Sequence, residues 1–294
     1  MQIKRILLPV DLSKITPFVT CRGKFLAKTF NAKIILLHVL ETVPDNEIPT
    51  EISSIFKSYI EEALKGRIAD MEDIEKELKE EGIEYEIVGE AGKPYEEIVK
   101  ASVKYDADIV VIGSSHRIKR IILGSTAEKV VRYSPKPVWV CRDRTCHSIK
   151  SILVPVDFSE FSEEAMKWGL YLARVFDSKL TVLHIVKPII RSPTYIRLLK
   201  EKKLSLREIA HLEMDKFLLK FDLTEIKYTT KILMGEPHKK ITQLAKKEQF
   251  DLIVMGTHGR SGISHLILGS VTEKVLENAC CDVLAVKPLK KEEK

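Results

Sequence analysis

The chain has 294 residues, 48 basic against 42 acidic, a formal net charge of +6 and 45% hydrophobic content. That composition excludes a disordered chain and suits two globular domains of ordinary size. Its charges are well mixed, which argues against nucleic-acid binding, and no apolar run of eighteen residues is available to cross a membrane. The N-terminus enters a strand pattern at once, without the apolar core and cleavage site of a signal peptide, so a cytoplasmic protein is expected. Five cysteines (Cys21, Cys141, Cys146, Cys280, Cys281) form no regular framework, as in a reducing compartment, and Cys141-x4-Cys146-His147 matches no common zinc spacing. Scarce Asn and Gln beside abundant Lys and Glu lean toward a thermophilic source.

In chain order, short β-branched apolar runs at 4–10, 33–39, 108–113 and 137–141 read as strands buried on both faces. The more alternating run Ile83–Val88 reads as a strand nearer an edge. Helical patterns fall at about 17–30, 50–81, 94–105 and 125–132, with Pro94 suited to a first helical turn. The same order then repeats. Ile3 to Ser13 returns as Ile149 to Ser159, Leu36-Leu37-His38-Val39 as Val182-Leu183-His184-Ile185, and Gly92-Lys93-Pro94 as Gly235-Glu236-Pro237. Asp108 to Gly113 returns as Asp251 to Gly256, and Gly124-Ser125 as Gly269-Ser270, at an offset of 143 to 146 throughout. Five blocks in constant order define a tandem duplication, with domains 1–146 and 147–294. Alternating βα units imply a doubly wound α/β sheet with helices on both faces in each copy. The densest basic stretch, Arg191 to Arg207, reads as a solvated helix face.

Ligands of open α/β sheets sit beyond the carboxyl ends of the strands, where the winding reverses. In the second copy, strand one ends in Pro155-Val156-Asp157. Strand four ends in Met255-Gly256-Thr257-His258-Gly259-Arg260, and Gly269-Ser270-Val271-Thr272 opens a helix. Glycines let backbone N–H groups approach a phosphate, and a helix N-terminus adds partial positive charge. His258 and Arg260 could add more, and Asp157 could accept hydrogen bonds from ribose or an adenine amino group. Ser270 with Glu273, and Ser125 with Glu128 in the first copy, are spaced as capping boxes. The pattern fits a nucleotide site, and equally a glycine-containing loop before a well-capped helix.

The spacing Gly256-x2-Gly259-x9-Gly269-Ser270, the strand ending in Asp157 and the Leu183-His184-Ile185 segment resemble the ATP-binding branch of the universal stress protein family. The resemblance covers nearly the whole chain, once per copy. It implies a five-stranded parallel sheet of order 3-2-1-4-5. It also implies an adenine nucleotide (ATP, ADP or AMP, with Mg²⁺) held by Asp157, the Ile185 backbone, Gly259, Gly269, Ser270 and Val271, with Met255 and Gly256 as floor. Pro155, His258, Arg260 and Thr272 complete that candidate set. The dinucleotide fingerprint and the P-loop motif are both absent.

The first copy keeps Asp11, Val39, Gly113, Gly124 and Ser125, but His116 stands where Gly259 stands in the second. Gly113 and Gly124 are eleven positions apart, against thirteen for Gly256 and Gly269. A side chain at His116 should resist a positive φ and crowd a phosphate. A weak, empty or altered site follows, with phosphate or AMP as its ligand. No carboxylate pair or Ser-His-Asp order stands near the loop, so the leading expectation is a regulatory or stress-response binder of ATP that is not an enzyme. The alternatives are an interaction module without a nucleotide and a slow ATPase or phosphotransfer enzyme. The resemblance further implies pairing of the last strands, Pro137–Cys141 with Asp282–Val286, as an antiparallel internal pseudo-dimer. Segments 41–82 and 187–222 are candidates for further homodimer contacts, and an unidentified protein would read the nucleotide-dependent surface.

Overall fold

The computed structural model describes residues 1–43, 47–114, 116–117, 120–121, 124–142, 148–187, 205–259 and 268–288. The side chains of 116–117 and 120–121 are outside this description. The expectations resting on Arg260, Cys146, His147 and most of Arg191–Arg207 therefore also lie outside the described residues. The chain divides into two compact units, Met1–His147 and Ser148–Lys294.

The first unit runs β1 (Arg5–Pro9), α1 (Thr16–Phe30), β2 (Lys33–Glu41), α2 (Ser53–Ala69), α3 (Glu72–Glu80), β3 (Tyr85–Gly92), α4 (Pro94–Lys104) and β4 (Ile109–Gly113). A two-residue ladder of β5 (His116–Arg117) and β6 (Arg120–Ile121) follows, then α5 (Ser125–Tyr133) and β7 (Val138–Cys141). All the pairings of the main sheet in this unit are parallel: β3 with β2, β2 with β1, β1 with β4, and β4 with β7. The second unit runs β8 (Ser151–Val156), α6 (Glu160–Phe176), β9 (Lys179–Val186), α7 (Leu206–Leu218), β10 (Tyr228–Met234), α8 (Pro237–Lys247), β11 (Leu252–Gly256), α9 (Ser270–Asn278) and β12 (Asp282–Val286). Its pairings repeat the scheme: β10 with β9, β9 with β8, β8 with β11, and β11 with β12.

The middles of the central strands are buried because helices cover both faces. Ile6, Leu7, Leu8, Val110, Val111, Ile152, Leu153, Val154, Ile253 and Val254 are all fully buried. The alternation seen in Ile83–Val88 matches its position in β3, which pairs with β2 at one side. A carboxylate at the start of each fourth strand fixes the start of each first strand. Asp108 Oδ2 accepts from the Lys4 and Arg5 amides at 2.6 and 2.9 Å. Asp251 Oδ2 accepts from the Lys150 and Ser151 amides at 2.9 and 3.0 Å. The repeated Gly-x-Pro turns are equally physical: Gly92 and Gly235 sit at φ +147° and +135°, which a side chain resists. Pro94 and Pro237 then open α4 and α8, where no N–H is needed.

Two expectations are corrected. The helix expected over 50–81 is a short 3₁₀ turn (Thr50–Ile52), then α2, then α3, with a break at Asp70-Met71. Met71 is fully buried at the break. The capping boxes at Ser270/Glu273 and Ser125/Glu128 do not form. The N-caps are Gly269 and Gly124, the serines lie inside the helices, and neither end has a side-chain cap. Glu128 turns to Arg132 instead. No helix among the described residues is long and apolar enough to cross a membrane.

Candidate functional site

Each first strand ends in Val-Asp followed by an apolar residue in the left-handed region, Leu12 at φ 57° and Phe158 at φ 65°. Neither leucine nor phenylalanine favours that conformation, so the surrounding contacts must hold it. In the second unit, Asp157 Oδ1 accepts from the Ser159 amide (3.1 Å), the Ser159 hydroxyl (2.5 Å) and the Ser162 hydroxyl (2.6 Å). The Phe158 ring stacks on His184 at a centroid distance of 4.3 Å. Asp11 repeats the turn more simply, accepting from the Ser13 amide at 3.0 Å and the Thr16 hydroxyl at 3.3 Å.

The histidine near the end of each second strand has a role that its position in the repeat did not disclose. His38 Nδ1 donates to the Val10 carbonyl at 2.9 Å, and His184 Nδ1 donates to the Val156 carbonyl at 2.8 Å. A carbonyl can only accept, so the Nδ1–H form is the one held. Both bonds tether the residue just before the aspartate to the neighbouring strand. The signal was present in the identical Leu-His pair of the two copies, yet the pattern alone gives no bonding partner.

The tether, the turn and the far loop converge on one cavity in the second unit, of about 610 Å³. Pro155, Asp157, Ile185, Met255, Gly256, His258, Gly259, Gly269, Ser270, Val271 and Thr272 all line it. Phe158, Ser162, Val186, Lys187, Ile209, Glu213, Pro237 and Ile241 complete walls that the pattern did not reveal. Ser162 comes from α6, Ile209 and Glu213 from α7, and Pro237 and Ile241 from α8, while Phe158 sits in the turn before α6 and Val186 and Lys187 at the end of β9.

The glycines are required for space. A Cβ on Gly259 would stand 2.4 Å from Asp157 Oδ2. The three hydrogen bonds on Oδ1 restrain that carboxylate from swinging aside. A Cβ on Gly269 would meet the Thr257 carbonyl oxygen at 2.9 Å, and one on Gly256 the Phe161 Cβ at 2.6 Å. None of the three has a positive φ, which corrects the conformational reason expected from sequence for a glycine at this place. The Gly269 amide donates to the Thr257 carbonyl at 2.8 Å, and the Thr272 hydroxyl to the Gly256 carbonyl at 2.8 Å. These bonds aim the N-terminus of α9 into the cavity without a side chain capping it. His258 Nδ1 lies 2.9 Å from the Thr257 hydroxyl, and its ring meets Phe161 at 4.9 Å.

The first unit has a matching cavity of about 520 Å³, lined by Asp11, His38, Val39, Gly113, Gly124 and Ser125 together with Glu41, Arg67 and Pro94. Backbone pairing of His116 with Ile121 and of Arg117 with Arg120 folds the loop after β4 on itself. No group of three or more metal-ligating side chains occurs among the described residues. Cys21 is a free thiol.

The universal stress protein profile matches residues 2–142 and again 148–287. A universal stress protein of Methanocaldococcus jannaschii is 36% identical over 152 residues, which cover 49% of this chain and 85% of that protein. Universal stress protein E of Escherichia coli is 29% identical over 211 residues, 67% of this chain and 66% of that one. A solved universal stress protein from Archaeoglobus fulgidus superimposes with TM-score 0.72 at 23% identity, over 98% of this chain and 99% of that one, a likeness of fold. With a match in each half, the chain belongs to the universal stress protein family.

Proposed function

We propose that the protein is an adenine-nucleotide-binding regulatory or stress-response protein whose second unit takes ATP. One observation carries this reading: Asp157, Gly259 and the uncapped N-terminus of α9 line a single cavity large enough for a nucleotide. The apolar wall of Ile185, Ile209 and Ile241 suits a base, Asp157 suits a ribose, and the α9 N–H groups suit phosphates. Mg²⁺ would then be held chiefly by the phosphates themselves. ATP bound here is retained or turned over slowly, because Asp157 has its Oδ1 committed to Ser159 and Ser162 and Glu213 belongs to the α7 wall assigned to the base.

Nucleotide retained by protein purified without added ligand, identified by mass and with its terminal phosphate intact after incubation with Mg²⁺, is the expected result. Nucleotide-free protein with no ATP affinity would favour a pure interaction module. Turnover at ~1 s⁻¹ or faster would favour an enzyme. The internal pseudo-dimer through the last strands stays part of this proposal. It is supported by the apolar sequences of β7 and β12 and by the edge-pairing liability of such strands.

A further inference from the structure

The outer face of α2 carries apolar surface that the first unit leaves uncovered. The helix runs for 17 residues, and none of them is fully buried. Its inner face meets the sheet through Leu64 and Ile68, which pack over Gly89 of β3, where a Cβ would stand 3.3 and 3.2 Å from their side chains. The outer face begins in the preceding 3₁₀ turn. Ile52 is 47% exposed, Ile55 69% and Tyr59 66%. Steps of three and four residues place the three in one stripe. Half-buried Phe56 and Ala63 border it, and it ends at Gly66, where among the described residues nothing stands within 4 Å of the place a Cβ would take. A single exposed isoleucine needs no explanation, but a stripe of three large apolar side chains on one helix marks a contact surface.

The charges beside the stripe decide what it fits. At about 100° per residue, Glu51, Ser58, Glu62 and Lys65 share the flank away from the sheet. Glu51, Glu62 and Lys65 are all exposed. The acid Glu51 stands at one end of this flank and the base Lys65 at the other, about 21 Å along the axis. A second α2 laid alongside in the same direction sets Glu51 against Glu51 and Lys65 against Lys65. One turned end for end sets Glu51 against Lys65 twice and centres the contact on Ser58. The same arrangement brings Glu62 level with the Ser54 hydroxyl and lays Ile52 between Ala63 and Gly66 of the other helix. An anionic lipid surface would need an excess of base, whereas Lys57, Lys65 and Arg67 are balanced here by Glu51, Glu61 and Glu62.

We propose that α2 is a self-docking surface, through which two copies of the chain pair antiparallel about a two-fold axis near Ser58. Such an isologous contact closes at two copies and does not propagate. It uses neither cavity and neither last strand, so it stands or falls separately from the function proposed above. One pair of helices of this length lies at the small end of specific interfaces, and the association is weak, with Kd on the order of 10 µM.

Sedimentation equilibrium of the full chain tests it. The wild type passes from monomer to dimer between about 1 and 100 µM. Ile55→Asp combined with Tyr59→Asp weakens the association at least about tenfold. Both positions are exposed, so the circular dichroism and melting temperature of that variant stay those of the wild type. Glu51→Lys alone, or Lys65→Glu alone, weakens the dimer about fivefold by setting like charges against each other twice. The two reversals together restore the wild-type constant, because each reversed charge again meets its opposite across the axis. A chain that stays monomeric to ~100 µM overturns the proposal. So does a dimer untouched by the two aspartates, or a loss on single reversal that the double reversal does not restore. Flotation with phosphatidylcholine–phosphatidylserine vesicles, abolished by the two aspartates in a protein that forms no dimer, overturns it in favour of a lipid surface.

Discussion

Asp157 uses its two oxygens differently. Oδ1 is fixed by Ser159 and Ser162, and Oδ2 packs directly against Gly259. Gly259→Ala should therefore weaken ATP binding at least about tenfold, with little change in thermal stability, because the new methyl lands on the carboxylate at the ligand's place rather than in the core. The tethering histidines behave oppositely. His38 is buried on β2, so His38→Ala should destabilise the first unit by about 2 kcal/mol, combining a lost hydrogen bond with a cavity. Denaturant titration checks it. Lys287, just after β12, is brought by burial from 10.5 to about 8. A lysine whose folded value is depressed destabilises the fold most below about pH 8, and that penalty fades as pH rises toward 10.5. Lys287→Met should raise stability at pH 7 by about 1 kcal/mol, the partly exposed ammonium being screened by solvent. Its advantage should vanish above about pH 10.5. An advantage independent of pH would point to packing instead.

At the scale of elements, the helices that follow each fourth strand, α5 and α9, have glycine at the N-cap. Because Ser270 lies inside α9 and does not cap it, Ser270→Ala should leave the melting temperature nearly unchanged, whereas loss of a true N-cap costs ~1 kcal/mol. Ser159, which accepts from the Ser162 amide at 3.3 Å, is such a cap, and Ser159→Ala should show that cost. Between α1 and α3, Lys24 reaches both Glu77 and Glu81 at 2.7 Å. Burial opposes the charge on Lys24, but its bonds to the two glutamates outweigh burial and raise its pKa. Glu81 is lowered by Lys24 and then by Lys28. A lowered carboxylate gives stability above its unfolded pKa that is lost as pH falls through the folded one. The raised ammonium of Lys24 gives stability that is lost on the alkaline side, above 10.5. The strands were plain in the sequence because burial on both faces leaves continuous apolar runs such as Ile34 to Leu37. The break at Met71 was hidden, since it depends on a side chain meeting a distant core and no proline or glycine stands there.

Across the whole molecule, duplication made the candidate site legible. Two copies read against each other separate what the fold needs, such as Asp108 and Asp251, from what the second cavity alone holds, such as Gly259 and Thr272. The wall from α7 came only with the structure, because it meets the loop in space from a separate element. The central claim is that the second unit is built around an adenine nucleotide and the first is not its equal. Calorimetric titration of ATP into the wild type and into Gly259→Ala tests it most directly. One equivalent in the wild type and none in the variant is the predicted result. Equal stoichiometry in both, or two equivalent sites in the wild type, would contradict it.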